Sequence, residues 1–204
     1  MVQTYLGKAA DVSEKVKKYA VVERERRFLL REYPPGLEPA HYHTQIFDNY
    51  ITNTRLRLRK IREPYKREWT FKLTQKFAPD PEDFSHTFIT NIYLTQAEYE
   101  MFQSYEGNEI RKNRYPYEHE GRKFAVDVFL GNLHGLLLAE TEFASDEEMD
   151  NFKPPSFAVM EVTNDPMFTG GRLVELTADE IRRELKARAE GDKAGAEVLK
   201  APGL

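Results

Sequence analysis

The stretch VVERERRFLL, residues 21–30, predicts a β-strand by its Val, Phe and Leu residues, yet five consecutive charged residues occupy its middle. Successive side chains of a strand point to opposite faces, so Glu23, Glu25 and Arg27 share one face. An ordinary antiparallel strand exposes one polar face to water and buries the other. The charge pattern of the other predicted strands indicates whether this face is exposed to water in that way.

The same alternation recurs on later predicted strands, where arginines at 55, 57 and 59 alternate with Leu56 and Leu58. Like charges two residues apart repel, yet here cations gather on some strands and carboxylates on others. The further charged positions are Lys72 in WTFKLTQK, Lys112 and Arg114 in IRKNRY, Asp127 in FAVDVFL, Glu140 and Glu142 in LLLAETEF, and Glu161 in VMEVTN.

Turn residues divide the chain into many short strands, which predicts an α+β domain on a mainly antiparallel sheet. Sequential strands joined by short turns curl and close on themselves. The predicted strands span residues 20–31, 42–51, 54–62, 67–77, 86–94, 109–117, 122–130, 136–144 and 158–164, with a further candidate at 172–175.

Short helices are predicted where a Thr or Ser precedes a Glu by three positions, the pattern of a capping box. These pairs are Thr95 with Glu98, Ser145 with Glu148, and Thr177 with Glu180. The last begins a helix from 178 to about 190, followed by a polar tail, and Asp11 with Glu14 indicates a short helix near the start. We expect one domain over residues 1–204, with its core at about 20–176, an extension at 1–19 and the C-terminal helix and tail at 177–204.

The composition narrows the possible functions. Of the 204 residues 40% are hydrophobic, which is typical of a globular domain. No apolar run approaches the roughly 18 residues of a membrane span, and the first residues lack the order of a secretion signal, so we expect a cytoplasmic protein without membrane contacts. The absence of cysteine excludes thiolate metal sites and cysteine nucleophiles. The net charge of −4 gives no generally basic surface for nucleic acid.

If the charged faces turn inward in a closed barrel, they line a cavity that cannot be a dry core, because unpaired buried charge is too costly. Arginine and lysine suit phosphate oxygens, and carboxylates suit Mg²⁺ or Mn²⁺. The pattern therefore indicates a polyphosphate held by cationic side chains and a metal ion held by acidic ones.

The order of these motifs resembles the CYTH superfamily, also called triphosphate tunnel metalloenzymes. E-x-E-x-[KR], LRLRK, FKL, KNRY, VDVF, AETEF and EVT follow one another from about residue 21 to 173. TNIYLTQAEYEMF and GNLHGLLLAETEF most resemble its bacterial single-domain branch. The resemblance implies a closed eight-stranded antiparallel β-barrel, a tunnel, with a few short peripheral helices. Family members include inorganic triphosphatases, thiamine triphosphatases and class IV adenylate cyclases.

The resemblance also implies residue roles. The expected ligands of Mg²⁺ or Mn²⁺ are Glu23, Glu25, Asp127, Glu140 and Glu142. The expected phosphate-binding residues are Arg55, Arg57, Arg59, Lys72, Lys112 and Arg114. The expected catalytic residues are Glu23, Glu25, Arg27, Asp127 and Glu140, and Glu161 is a weaker match. The chain has Arg27 where the family usually has Lys, and Ala125 where many members have a carboxylate.

We therefore expect metal-dependent hydrolysis of a linear triphosphate, with inorganic tripolyphosphate first and thiamine triphosphate next. Two alternatives stay open: cyclisation of ATP in the same tunnel, and a non-catalytic module that binds polyphosphate or a nucleotide. Nucleic-acid binding by residues 55–67 is disfavoured, because the facing glutamates would repel phosphates. The expected partner is a small-molecule triphosphate, and a homodimer is left open.

Overall fold

A computed structural model describes residues 19–198, and its strands form one antiparallel sheet. They are β1 (Val21–Leu30), β2 (Thr44–Ile51), β3 (Leu56–Glu63), β4 (Glu68–Phe77), β5 (His86–Leu94), β6 (Gly107–His119), β7 (Arg122–Leu130), β8 (Leu137–Glu142) and β9 (Met160–Glu161). The sheet runs in the order β5-β4-β3-β2-β6-β7-β8-β1-β9, and β5 also pairs with β1. The first eight strands therefore form a closed antiparallel barrel, and the predicted fold class is confirmed.

Strand β1 closes the barrel because it pairs with a different strand along each part of its length. Its first four residues pair with β5, and its last six pair with β8. The short strand β9 joins the sheet opposite Phe28 and Leu29. The charged stretch is thus the seam of the barrel.

Four α-helices lie outside the sheet within residues 19–198: α1 (Gln96–Gln103), α2 (Asp146–Asn151), α3 (Gly170–Leu173) and α4 (Ala178–Val198). Two 3-10 helices also occur there, at Gly131–Leu133 and Pro166–Phe168. Thr95 and Glu98 form the predicted capping box at α1. At α4, Thr177 and Glu180 exchange the same pair of hydrogen bonds. α4 extends beyond the predicted end near 190. The predicted helix at Asp11 and the end of the tail lie outside the described residues.

The cap of α2 differs in one bond from the predicted box. The Ser145 hydroxyl accepts a hydrogen bond from the amide of Glu148, as predicted. The Glu148 carboxylate, however, accepts from the Ala144 amide at 2.8 Å and from Arg122 at 2.5 Å. The start of α2 was predicted correctly, and the Glu148 carboxylate connects α2 to Arg122 of β7.

The candidate strand at 172–175 is wrong, because these residues form the end of α3 and the turn after it. Leu173 and Leu176 lie three residues apart and both pack on the same core, which is helical spacing. Any side chain at Gly170 would collide with the Tyr50 hydroxyl, so only glycine permits this close approach to the barrel.

Apolar packing covers the outside of the barrel and one of its ends. Leu58 and Leu73 point outward and pack under Tyr99 of α1. A second outer cluster contains Phe28 and Tyr115. The third cluster fills one end of the barrel and consists of Leu29, Ile110, Phe129, Leu133, Leu136, Leu138, Val162, Phe168, Leu173 and Ile181. The remaining interior is left to polar side chains.

Candidate active site

A cavity of about 530 Å³ occupies the barrel interior. Every residue of the predicted site except Asp127 lines it. These residues are Glu23, Glu25, Arg27, Arg55, Arg57, Arg59, Lys72, Lys112, Arg114, Glu140 and Glu142. The charged strand faces thus turn inward, because the outer faces of the same strands are taken up by apolar packing.

The carboxylates of β1 are bonded to two cations. Arg27 donates to Glu25 Oε1 at 2.7 Å and to Glu140 Oε1 at 3.0 Å. Lys76 lies 2.8 Å from Glu23 and 3.0 Å from Glu25. Burial works against the charge of Lys76, but Glu25 and Glu23 outweigh it and raise its pKa. Lys76 therefore keeps its charge beside the two glutamates.

Glu140 lies between two arginines. Arg114 Nη2 donates to Glu140 Oε2 at 2.6 Å, and Arg27 contacts the other oxygen. Burial disfavours the carboxylate, but Arg114 and Arg27 hold the pKa of Glu140 well below its usual value. Glu140 is therefore a carboxylate, and it has no proton to give as a general acid.

Asp127 lies behind the cavity wall with no exposed surface. Its Oδ2 atom accepts from Lys112 Nζ at 2.5 Å, and Arg114 donates to both of its oxygens at 2.6 and 2.7 Å. The structure therefore places Asp127 against two of the predicted phosphate-binding cations.

Several cationic groups in the cavity have nitrogen atoms without a protein acceptor. The Nε atom of Arg57 is buried and has no hydrogen-bond partner among the described residues. Arg55 and Lys72 form no ion pair with described residues, and they lie over the rings of Phe77 and Tyr93, 4.8 and 5.1 Å from the ring centres. A buried donor without an acceptor is costly, so Arg57 Nε favours an anionic ligand. Arg55 is exposed and Lys72 is partly buried, so both can turn toward such a ligand without losing an ion pair to a described residue.

The cavity carries surplus positive charge. Eight cationic side chains line it, and six carboxylates lie on its wall or directly behind it, which leaves a surplus of two. The cations are Arg27, Arg55, Arg57, Arg59, Lys72, Lys76, Lys112 and Arg114. The carboxylates are Glu23, Glu25, Asp48, Glu140, Glu142 and the buried Asp127.

Three carboxylates on one side of the cavity, Glu23, Glu25 and Glu142, are candidate ligands of a divalent metal ion. No three His, Asp or Glu side chains within residues 19–198 converge as a preformed metal site. Glu25 nevertheless pairs in register with Glu142 across β1 and β8. Burial and then the charges of Glu23 and Glu25 raise the pKa of Glu142, which means that these carboxylates repel one another. Mg²⁺ commonly uses one or two carboxylates together with substrate phosphates, so these residues fit such an ion.

The other charged residues of β1 lie outside the cavity. Arg24 binds Asp146 at the start of α2. Arg26 binds Glu161 on β9 through two nitrogens, at 2.5 and 2.8 Å. Glu161, the weaker match to the family motifs, therefore belongs to an ion pair outside the barrel.

Two charged residues of the cavity, Asp48 and Lys76, were absent from the predicted site. Asp48 is the single charged residue of TQIFDNYI, as Asp127 is of FAVDVFL. Lys76 follows Lys72 by four residues and therefore shares its face. The two-residue period that selected Asp127 as a single charge applies equally to Asp48, and the face that carries Lys72 also carries Lys76.

Two curated proteins similar to this chain are named inorganic triphosphatases. The chain matches no protein-family model. An inorganic triphosphatase of Nitrosomonas europaea is 29% identical over 153 residues, which cover 72% of this chain and 93% of that protein. An inorganic triphosphatase of Acetivibrio thermocellus is 39% identical over 66 residues, 32% of this chain and 41% of that protein.

Within the described residues, no helix has the length and apolar character needed to cross a membrane.

A solved structure extends the similarity to the fold. The crystal structure of an inorganic triphosphatase aligns with a TM-score of 0.51 and 26% identity, over 76% of this chain and 96% of the other. The chain is therefore similar in sequence and in fold to proteins named inorganic triphosphatases.

Proposed function

We propose that this chain is a triphosphate tunnel metalloenzyme that hydrolyses a linear triphosphate with the help of Mg²⁺ or Mn²⁺, and that inorganic tripolyphosphate is its substrate. The observation that carries the proposal is the cationic surplus of the cavity, with the buried Arg57 Nε still lacking an acceptor. Tripolyphosphate bears about four to five negative charges near neutral pH, so with one divalent cation it retains about two to three. This charge is close to the surplus in the cavity.

The cationic wall would bind the phosphate chain. Arg57 and Arg59 lie on β3, while Lys112 and Arg114 lie on β6. These two strands flank β2, so their cations form one continuous wall for the phosphate chain. Planar guanidinium groups can bind two phosphate oxygens at once. Lys72 and Arg55, which have no carboxylate partner among the described residues, add charge without losing an existing ion pair.

The acidic wall would hold the metal ion. Glu23, Glu25 and Glu142 would be its protein ligands, and the bound ion would neutralise charge on the phosphoryl oxygens. Glu140 and Asp127, predicted as further ligands, are bonded to Arg27, Arg114 and Lys112. We therefore assign these two acids to the orientation of the cations.

Hydrolysis needs little covalent help from the protein, because positioning and neutralisation of developing charge supply most of the rate. A water oxygen forms a bond to a terminal phosphorus, and the bond from that phosphorus to the bridging oxygen breaks. Diphosphate leaves with the bonding electron pair, and the water proton passes to solvent. The cations stabilise the charge that develops on the leaving oxygen.

The proposal is tested by phosphate release from tripolyphosphate, thiamine triphosphate, ATP and pyrophosphate, each with Mg²⁺ and with Mn²⁺. We expect orthophosphate from tripolyphosphate, and activity that is lost when a chelator removes the metal ion. Cyclic AMP from ATP, or tight binding of tripolyphosphate without any product, would show that the site does something else.

Replacement Glu25→Gln tests the acidic wall. It keeps the size of the side chain but removes a charge, so we expect kcat for tripolyphosphate to fall on the order of a hundredfold. The surface replacement Glu109→Gln, at an exposed ion pair, is the matched control and leaves activity unchanged. Phosphate release and urea unfolding are measured for both. Unaltered turnover by Glu25→Gln in excess metal would contradict the proposed site.

A further inference from the structure

Asp48 is a buried carboxylate within the wall that would bind phosphate. It lies in the middle of β2 with 1% of its surface exposed. In the register of the sheet it stands opposite Arg59 of β3 on one side and Ile110 of β6 on the other. An acid here lowers the positive charge where an anion would bind, so its presence needs a reason.

The contacts of Asp48 show what it does to its neighbours. Arg59 donates to both oxygens, from Nε at 2.5 Å and from Nη2 at 2.7 Å. Arg57 Nε lies 3.8 Å from Oδ1, which is too far for a hydrogen bond but close enough for attraction. Burial opposes the charge of Asp48, but Arg59 and Arg57 outweigh it and hold its pKa far below the usual value. Asp48 is therefore a permanent anion.

We propose that Asp48 is a positioning residue, which fixes the guanidinium of Arg59 and holds Arg57 beside it for the phosphate chain. Two bonds to one carboxylate fix the plane of Arg59 and leave its Nη1 atom available to a ligand. Arg57 is attracted by the same carboxylate, yet its Nε is left without an acceptor. This inference rests on the proposed function, because the arginines are positioned for a phosphate ligand.

The arrangement at Asp127 repeats that at Asp48. Asp127 of β7 binds Lys112 and Arg114 in the way that Asp48 of β2 binds Arg59 and attracts Arg57. β6, which carries Lys112, lies between these two strands. Each buried aspartate thus orders two cations, and restricting long side chains before binding lowers the entropy lost when the ligand arrives.

The direction in which Asp48→Asn changes the affinity for tripolyphosphate shows whether Asp48 positions the arginines or only reduces the positive charge of the cavity. If Asp48 only reduced the positive charge, Asp48→Asn would bind tripolyphosphate more tightly than the wild type. If Asp48 positions the arginines, the same variant binds more weakly despite its extra positive charge. If Asp48 only stabilises the fold, the midpoint of thermal unfolding falls while binding by the folded protein is unchanged.

Calorimetric titration with tripolyphosphate in the absence of metal ions, where no turnover occurs, makes this measurement. We expect Kd for Asp48→Asn to rise on the order of tenfold, and KM in the presence of metal to rise similarly with a smaller change in kcat. Asp150→Asn, the same change at an exposed position of α2, is the control and binds as the wild type does. Unchanged or tighter binding by Asp48→Asn overturns the inference.

A second variant covers the case in which Asp48→Asn fails to fold. Arg59→Lys keeps the charge but cannot make two parallel bonds to one carboxylate, so we expect it to weaken binding as well. In the double variant the effects overlap, because both remove the same interaction. Unchanged binding by Arg59→Lys, or fully additive effects, would overturn the inference. A wild type that neither binds nor hydrolyses tripolyphosphate would instead overturn the proposed function, and this inference with it.

Discussion

Arg27 uses its guanidinium group to join three parts of the structure. It donates to Glu25 on its own strand, to Glu140 on β8, and to the Phe168 carbonyl in the turn before α3 at 2.9 Å. A lysine has one nitrogen at the end of its chain and cannot match this fixed fork. The arginine therefore links the charged wall to the apolar end of the barrel.

Loss of this side chain should destabilise the fold. Arg27→Met leaves Glu25 and Glu140 buried with one cation fewer, so we expect a loss of about 3 kcal/mol or more in the free energy of unfolding. Arg27→Lys should lose less, because the charge stays. Urea unfolding measures both, with Arg111→Met at an exposed pair as the control, expected to lose less than about 1 kcal/mol. Wild-type stability of Arg27→Met would contradict this account.

At the scale of elements, strand β5 and helix α2 are joined through His86. Its Nε2 lies 3.0 Å from Asp146, which also binds Arg24 of β1, and its Nδ1 lies 2.9 Å from Asp83. Hydrogen bonding to Asp146 and to Asp83 outweighs burial and raises the pKa of His86. The protonated ring is therefore favoured by folding.

The contribution of His86 to stability should depend on pH. Because its pKa is raised in the folded state, the stabilisation is fully present below the unfolded pKa of about 6.5. It is lost as pH rises through the folded value. We expect the difference in unfolding midpoint between wild type and His86→Gln to be largest in mild acid and to shrink as the solution becomes alkaline. Thermal unfolding across this range checks it, and a constant difference would be evidence against the charged ring.

The sequence predicted the elements well where their period was unambiguous. The two-residue period, with glycine and proline at the breaks, located β1 to β8, because only that period separates an apolar outer face from a charged inner one. Of the strand predicted at 158–164, only Met160–Glu161 forms β9. Residues 172–175 were too few for the period to distinguish strand from helix. The length of α4 was underestimated, because its later residues lack the apolar stripe that marks a helix in sequence.

For the whole molecule, the sequence could predict which faces are charged but not which charges pair. Asp127 binds Lys112 and Arg114 across the neighbouring strands β7 and β6, and Asp48 binds Arg59 across the neighbouring strands β2 and β3. Which residues of such a strand pair stand opposite each other depends on the register, Asp127 with Arg114 and Asp48 with Arg59. The turn boundaries were predicted only approximately, so the register and the ion pairs could not be derived from the sequence.

A barrel with surplus positive charge inside should be stabilised by its anionic ligand. At a concentration of tripolyphosphate one hundred times its Kd, and without metal ions, we expect about 2.7 kcal/mol of added stability. Thermal unfolding with and without the ligand measures this, with potassium chloride at equal ionic strength as the control. An unfolding midpoint that follows ionic strength alone would argue against a specific site.

The alternation along β1 also protects the alignment of the barrel seam. A shift of this strand by one residue would exchange its faces and bring Arg24 and Arg26 inside, with Glu23, Glu25 and Arg27 outside. The interior would then be strongly cationic in either direction of shift. A shift that puts Glu23 and Glu25 in the places of Arg24 and Arg26 would also set them against Asp146 and Glu161, the acids that now bind the two arginines. Misalignment is thus penalised, so the ten residues of β1 specify where the chain closes as well as what it encloses.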